Sequence, residues 1–388
     1  MSSKERQRPT AGRLDRFRRL EMKGFGALGR ASNVPYALLA IGLILFPILD
    51  TNRSQVDVIA VAGVWVLLAL GLNIVVGYAG LLDLGYAAFF AIGSYAFAML
   101  ASGQFNIHIS FWVLIFLSAF IAAFFGVILG APTLRLRGDY LAIVTLGFGE
   151  IVPRVFRNAS TYTGGVNGIV GVDQPKLPPI LGWSGDFGFN PVPYYYLILV
   201  IIVVSLIFIN NLRNSRLGRA WMAIREDEVA AAATGINTVT TKLLAFALGA
   251  SFSGFAGTYY ASKLFIVSPE SFSFQAVSVV VLVMVVLGGM GSIRGVIVGA
   301  LLIYFIQTYV LIQLPGWIAT ATAALNIDFL TKLDVGGYVQ RSNFLIFGII
   351  LAGIMVLRPQ GLLPSAQRKV ELELGTSDEA VADLRGSA

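Results

Sequence analysis

Between Leu84 and Leu134 the chain carries no Asp, Glu, Lys or Arg. Further charge-free runs cover Val58–Leu82, Phe187–Leu212, Leu243–Ser262, Ser271–Ile293, Gly295–Ile327 and Ser342–Leu357. About 20 apolar residues in helical form span the hydrocarbon core of a bilayer, and a water-soluble domain needs no runs of that length. The pattern predicts an all-α, polytopic membrane protein with about ten transmembrane or re-entrant helices. The predicted spans are Val34–Leu49, Val58–Val76, Leu84–Ala101, Ile109–Ala131, Tyr140–Phe156, Val192–Asn211, Lys242–Ser262, Gln275–Leu287, Val296–Gln313 and Asn343–Leu357. Tyr140–Phe156 is short and carries Glu150, Pro153 and Arg154. Gly77, Gly80, Gly85 and Gly93 weaken the helix around the start of Leu84–Ala101, which makes that segment a re-entrant candidate.

Basic residues set the expected orientation. Nine Lys or Arg lie in the first thirty residues. Arg135, Arg137, Arg213, Arg216, Arg219, Arg225, Lys242, Arg294, Arg358, Arg368, Lys369 and Arg385 fall on the same side of the alternating spans. The other side keeps Arg53, Arg154, Arg157, Lys176, Lys263, Lys332 and Arg341. A roughly three-to-one excess predicts that both termini are cytoplasmic. The expected organisation is a basic segment 1–33, a membrane domain 34–357 and a cytoplasmic tail 358–388. Within the membrane domain, 158–191 is read as an external loop and 213–241 as a cytoplasmic one.

Composition sharpens this reading. Hydrophobic residues make up 56% and charged residues 13%, about half the usual charged share. The net charge of +7 is concentrated at the N-terminus, which suits a cytoplasmic flank touching anionic lipid rather than a nucleic-acid surface. The N-terminal apolar run lacks a small-residue cleavage site and reads as an anchor. There is no cysteine, which excludes disulfides and thiolate metal sites. His108 is the only histidine and falls in a polar turn, so no Ser/His/Asp or zinc-ligand set can be assembled. No phosphate-binding Gly-x-x-x-x-Gly-Lys-Ser/Thr pattern occurs, so no ATPase site, catalytic residue, metal or cofactor is expected in this chain. Arrays of intramembrane charges, as proton relays use, are also lacking.

Helices in lipid associate by close backbone approach. Small-residue strips at Ala122/Gly126/Gly130, Gly249/Ser253/Gly257 and Gly295/Gly299 predict such contacts. Val75-Val76-Gly77-Tyr78-Ala79-Gly80 resembles Val286-Leu287-Gly288-Gly289-Met290-Gly291, and transporters often place interrupted helices in paired halves around a path. Pathway candidates are Asn73, Gly77, Asp83, Ser94, Thr145 and Glu150. Asp83 either caps the helix from Leu84 or serves the pathway. Glu150 either pairs with Arg154, four residues on, or faces a substrate ammonium. Asn73, Ser94 and Thr145 offer hydrogen bonds to a zwitterion or to carbonyls of their own helices.

The most specific stretch runs from Asn210 to Asn237. Ser215 is placed to cap a helix and Gly235 to end it. Leu217, Trp221, Ile224 and Ala231 share one helical face, an apolar stripe suited to a groove on another protein. Arg216 and Arg219 mark one end, and Glu226, Asp227 and Glu228 cluster centrally, an acidic group that anionic lipid would repel.

Four segments carry a family resemblance: Gly71–Gly93, Leu136–Ile151, the Asn210–Asn237 loop and Val286–Gly299. Together they resemble the M-type permease subunits of branched-chain amino acid ABC importers. The resemblance implies a heterodimer with a homologous H-type permease and two ATPase subunits bound beneath it. It further implies an extracytoplasmic substrate-binding protein and a place in a bacterial or archaeal plasma membrane. The loop helix would then fit the ATPase groove through Arg216, Leu217, Arg219, Trp221, Ile224, Glu226, Asp227, Glu228 and Gly235. Such importers carry a Glu-Ala-Ala pattern followed by Gly; here Ala230, Ala231 and Gly235 match in outline and Val229 stands at the Glu position. A urea or short-amide permease of the same superfamily is the alternative, followed by an ion-coupled carrier.

Overall fold

The computed structural model describes residues 33–49, 52–133, 139–176, 187–324, 345, 348–349, 352–353 and 361–363. Arg135, Arg137, the basic residues before 33, most of the span expected at 343–357 and most of the tail lie outside the described residues. The chain divides into two units, 1–56 and 57–388. In the first, α1 (Asn33–Leu49) is an apolar helix with Pro47 near its end. Its last turns expose Ile44, Ile48 and Leu49.

The second unit is a helical bundle. In chain order α2 (Arg53–Leu72) runs into a wide turn of π-helix at Asn73–Tyr78. Then come α3 (Tyr86–Leu100), α4 (Phe111–Thr133), α5 (Asp139–Asn158) and the short α6 (Ser160–Thr163). The long α7 (Pro191–Asn214) leads into α8 (Arg216–Glu226) and α9 (Glu228–Ala233), and α10 (Thr238–Leu264) follows. A π-turn at Phe274–Ser278 opens α11 (Val279–Gly288). Finally α12 (Ile293–Phe305) continues through another π-turn, Ile306–Val310, into α13 (Leu311–Ala324). Five described helices are long and apolar enough to cross a bilayer: Arg53–Tyr78, Phe111–Thr133, Pro191–Asn214, Thr238–Leu264 and Ile293–Trp317. The molecule is a mostly helical, multi-pass membrane protein.

The small-residue strips lie at helix crossings. A Cβ on Gly93 would fall 2.6 Å from the Gly254 Cα, and one on Gly254 would fall 2.5 Å from the Ala119 Cα. These positions bring α3, α10 and α4 to backbone contact, where dispersion rather than hydrophobic expulsion holds helices together. Gly126 meets Phe246 and Ala250 of α10 in the same way, and Gly299 meets Met284 and Gly288 of α11. α3 has 15 residues. At 1.5 Å each they rise about 22 Å, short of the ~30 Å hydrocarbon core. Its apolar side chains are nearly all buried inside the bundle rather than offered to lipid.

At one end of the bundle the connections are laced together. β1 (Ala101–Ser102) pairs antiparallel with β2 (Ile107–His108), and β3 (Ile169–Val170) with β4 (Ile266–Val267). Ser102 bridges to Val172, and the Asp173 amide donates to the Ala101 carbonyl. His108 sits 2.6 Å from the Asp173 carboxylate. Nearby, the buried Lys263 ammonium is paired with Asp57 and lies 5.5 Å from the Tyr194 ring centroid.

Candidate functional site

The loop after α7 folds as two helices, not one. The Ser215 hydroxyl accepts from the Gly218 amide at 3.2 Å and starts α8, as its position in the sequence predicts. The break falls at Asp227, whose backbone is extended and whose carboxylate accepts from the amides of Val229 (2.8 Å) and Ala230 (3.0 Å). Asp227 is therefore the cap of α9, and an acidic side chain suits that position because it also meets the positive end of the helix. Gly235, at φ +91°, closes the segment in the left-handed conformation that only glycine adopts without penalty.

The expected apolar stripe is not presented outward. Trp221, Ile224 and Ala231 are buried in the bundle, with Trp221 0% exposed, and Leu217 is half-buried. The Trp221 indole donates to the Thr241 carbonyl at 2.7 Å. A large aromatic with a satisfied polar edge anchors well, and here it fastens the loop to α10. What remains outside is mostly charged, Arg216, Arg219, Glu226, Asp227 and Glu228, together with the apolar Val229. Glu228 in turn pairs with Lys242 of α10, a lysine whose side chain is itself buried. Truncation of Trp221 to alanine is expected to cost about 3–5 kcal/mol. Trp221→Phe, which keeps a six-membered aromatic ring but loses the pyrrole part of the indole and its hydrogen bond, should cost less, about 2–3 kcal/mol. The order of the two melting temperatures in detergent checks this.

The loop also reaches the two glycine-broken turns, which the fold brings side by side. The Asn73 side-chain oxygen accepts from the Gly291 amide at 2.9 Å. A Cβ on Gly77 would lie 2.6 Å from that same amide nitrogen. The Arg225 guanidinium, at the end of α8, donates to the Gly77 carbonyl at 2.6 Å. Gly80, at φ +69°, fits against the Arg225 side chain, where a Cβ would come within 2.7 Å of the Arg225 Cγ. On the far side, the amides of Leu362 and Leu363 donate to the carbonyls of Leu287 and Gly288, closing the end of α11. Arg225 thus ties the surface loop to the meeting point of α2 and the α11–α12 turn.

The other candidates are placed as follows. Asp83 is 1% exposed; one carboxylate oxygen accepts from the Gly85 amide at 2.8 Å and the other has no partner. It forms a tight turn ahead of α3 rather than capping it, because the helix begins at Tyr86. The free amides there are held from elsewhere: Leu84 by the Thr145 hydroxyl (3.0 Å) and Ala87 by the Ser278 hydroxyl (2.9 Å). Ser94 donates to the Phe90 carbonyl and Thr145 to the Ala142 carbonyl, each within its own helix. A cavity of about 90 Å³ adjoins Asp83, with Phe89, Thr133, Thr145, Phe148 and Phe246 among its walls. Glu150 pairs with Arg154 at 2.9 Å. Sequence reasoning passed over Arg225 as a structural link and Glu270 as a partner of Arg157, at 3.2 Å. Both depend on contacts between distant segments. The only signal for the first was a basic residue ending an amphipathic helix.

Residues 54–355 match the family model described as the branched-chain amino acid transport system permease component. The chain is 40% identical over 356 residues to the high-affinity branched-chain amino acid transport system permease protein LivM of Salmonella typhimurium, covering 87% of this chain and 76% of that protein. It is 39% identical to the protein of the same name from Escherichia coli, covering 89% and 79%. A probable branched-chain amino acid transport permease from Methanocaldococcus jannaschii is 25% identical over 65% of this chain and 68% of that one. No solved structure matches. The chain belongs to the family of branched-chain amino acid transport system permease components.

Proposed function

We propose that this chain is one of two permease subunits in an importer of branched-chain amino acids, driven by ATP hydrolysed on two partner ATPases. The second permease is a homologous H-type chain, and an extracytoplasmic binding protein delivers the solute. In this reading the bundle has about ten spans, both termini and the α8–α9 loop face the cytoplasm, and the host membrane is a bacterial or archaeal plasma membrane. The names of the Salmonella typhimurium and Escherichia coli relatives support the solute class.

The observation that carries the mechanism is the Arg225 bridge from α8 to Gly77. A capped, two-helix loop is fastened to the bundle by Trp221 and Lys242, and it is hydrogen-bonded to the first broken turn, which is itself bonded to the second. A push on its exposed face is delivered to those turns. The turns interrupt the regular ladders of α2 and of the α11–α12 connection, and helices bend at such interruptions rather than along continuous stretches. Alternating access follows when the two turns change their packing against each other.

Proteoliposomes holding this chain with its H-type partner, both ATPases and the binding protein should accumulate radiolabelled leucine only when ATP is supplied on the α8 side. Accumulation against a gradient by this chain alone would end the reading, and uptake of urea in place of leucine would move the chain to the short-amide class. Asp227 and Glu228 have structural roles, whereas Glu226 is exposed at the end of α8. Glu226→Lys should therefore leave insertion intact and lower ATP-driven uptake by about tenfold, the equivalent of one charged contact. Unchanged uptake would remove Glu226 from the docking surface.

A further inference from the structure

We infer that the cleft between α5 and the turn at 269–273 binds the charged head of a zwitterionic solute, an α-amino acid, in a water-filled part of the path. This rests on the permease reading above. Glu150, Arg154 and Arg157 follow one another at i, i+4 and i+7 along α5, and Glu270 faces them from the turn. With Pro153 and Pro269 as stiff walls, these four charges line a cavity of about 150 Å³. That volume takes about five waters, or a head group with a short side chain in their place.

Position is the first argument. Glu150 stands in the twelfth of α5's 20 positions. That is about 16 Å from its start and about 12 Å from its end, and Arg154 and Arg157 follow toward the laced end, where the turn at 269–273 comes just after β4. Among the described helices of 18 or more residues, α5 is the only one not apolar enough to cross a bilayer facing lipid. Four partly exposed charges on such a helix and the turn beside it are accommodated by water and by one another.

Charge order is the second argument. The series is carboxylate, guanidinium, guanidinium, carboxylate, with no net charge. A simple anion or cation meets as much repulsion as attraction there. A zwitterion sets its carboxylate on the paired arginines and its ammonium on either glutamate. Each guanidinium has five N–H donors and the ion pairs use only some of them, so the arginines can hold a second carboxylate without first breaking the pairs.

The test uses the complete transporter in proteoliposomes with radiolabelled leucine. The charge-swapped pair Glu150→Arg/Arg154→Glu keeps a helical ion pair but inverts its order; Arg157→Gln/Glu270→Gln removes the other. Both should insert, assemble and keep ATPase stimulation by the loaded binding protein, while leucine uptake falls at least about tenfold. Uptake close to that of the unmodified transporter in the swapped variant would overturn the inference, because the pair would then only brace the helix. Joint loss of ATPase stimulation and uptake would overturn it too, by placing the cluster at the binding-protein contact. A second measurement does not need those variants. The chain has no cysteine, so Ser273→Cys gives a single thiol at the cleft. Its modification by a charged, water-soluble thiol reagent should be slowed by saturating leucine; an unaltered rate would overturn the site. Failure of the unmodified complex to move leucine would instead strike the permease reading itself.

Discussion

Gly254→Val is expected to abolish recovery of the folded chain. The added Cβ would lie 2.5 Å from the Ala119 Cα, 2.9 Å from the Ser118 carbonyl oxygen and 3.0 Å from the Ala119 nitrogen, all on α4. None of these is the movable end of a side chain, so relief requires α4 and α10 to separate. The opposite flank is closed as well, since Gly93 of α3 already presses on the Gly254 Cα. Overpacking in a well-filled core typically costs about 1–3 kcal/mol, and here the branched side chain must displace backbone on two sides. Separation forfeits the close contacts that hold helices together in lipid. Gly147 of α5 is the control, because a Cβ added there would meet nothing within 4 Å. Gly147→Val should give a normal monodisperse yield on size exclusion in detergent, and Gly254→Val almost none. Equal yields would mean that the three-helix crossing does not hold the bundle.

Arg225→Ala is expected to have the largest effect on transport. It removes the charged donor on the Gly77 carbonyl and the side chain against which Gly80 is seated. A hydrogen bond from a charged group is worth about 1.5–3 kcal/mol, which corresponds to roughly ten- to a hundredfold in an equilibrium. In the proposed importer, ATP-driven leucine uptake should fall by that factor while the ATPases still copurify and still hydrolyse ATP. Arg225→Lys restores charge but not the planar fork, so it should recover only part of the rate. Full activity in Arg225→Ala would break the proposed link between loop and turns. Loss of the ATPases from the complex would assign Arg225 to docking instead.

Much of the architecture was legible in the sequence. The charge-free runs gave the long helices, because a bilayer leaves few other ways to satisfy a backbone. Ser215, Gly235 and the Glu150–Arg154 pair are local features, set by neighbours within a turn or two, and the structure has them as expected. The features missed depend on distant segments. Asp227 looked like one member of an acidic patch, yet it caps a second helix. The stripe of Trp221, Ile224 and Ala231 had the spacing of a partner-binding face, and periodicity alone does not say which apolar surface a helix meets. Here the nearest was its own bundle. Likewise Lys263 with Asp57, and Arg225 with Gly77, join positions 206 and 148 residues apart.

The laced end of the bundle has a mechanical meaning. Short main-chain ladders tie 101–102 to 107–108 and 169–170 to 266–267, and the Asp173 amide joins the two sets. Those ladders clamp the tops of α3 and α10 and the segment that follows α5 into a single plate. In the proposed importer, a joint tilt of these helices would pivot about that plate, with amplitude growing along their length. The largest swing would then arrive at the far extremity, where Arg225 holds the Gly77 turn: the ladders would serve as the fulcrum, and the loop as the end of the long arm.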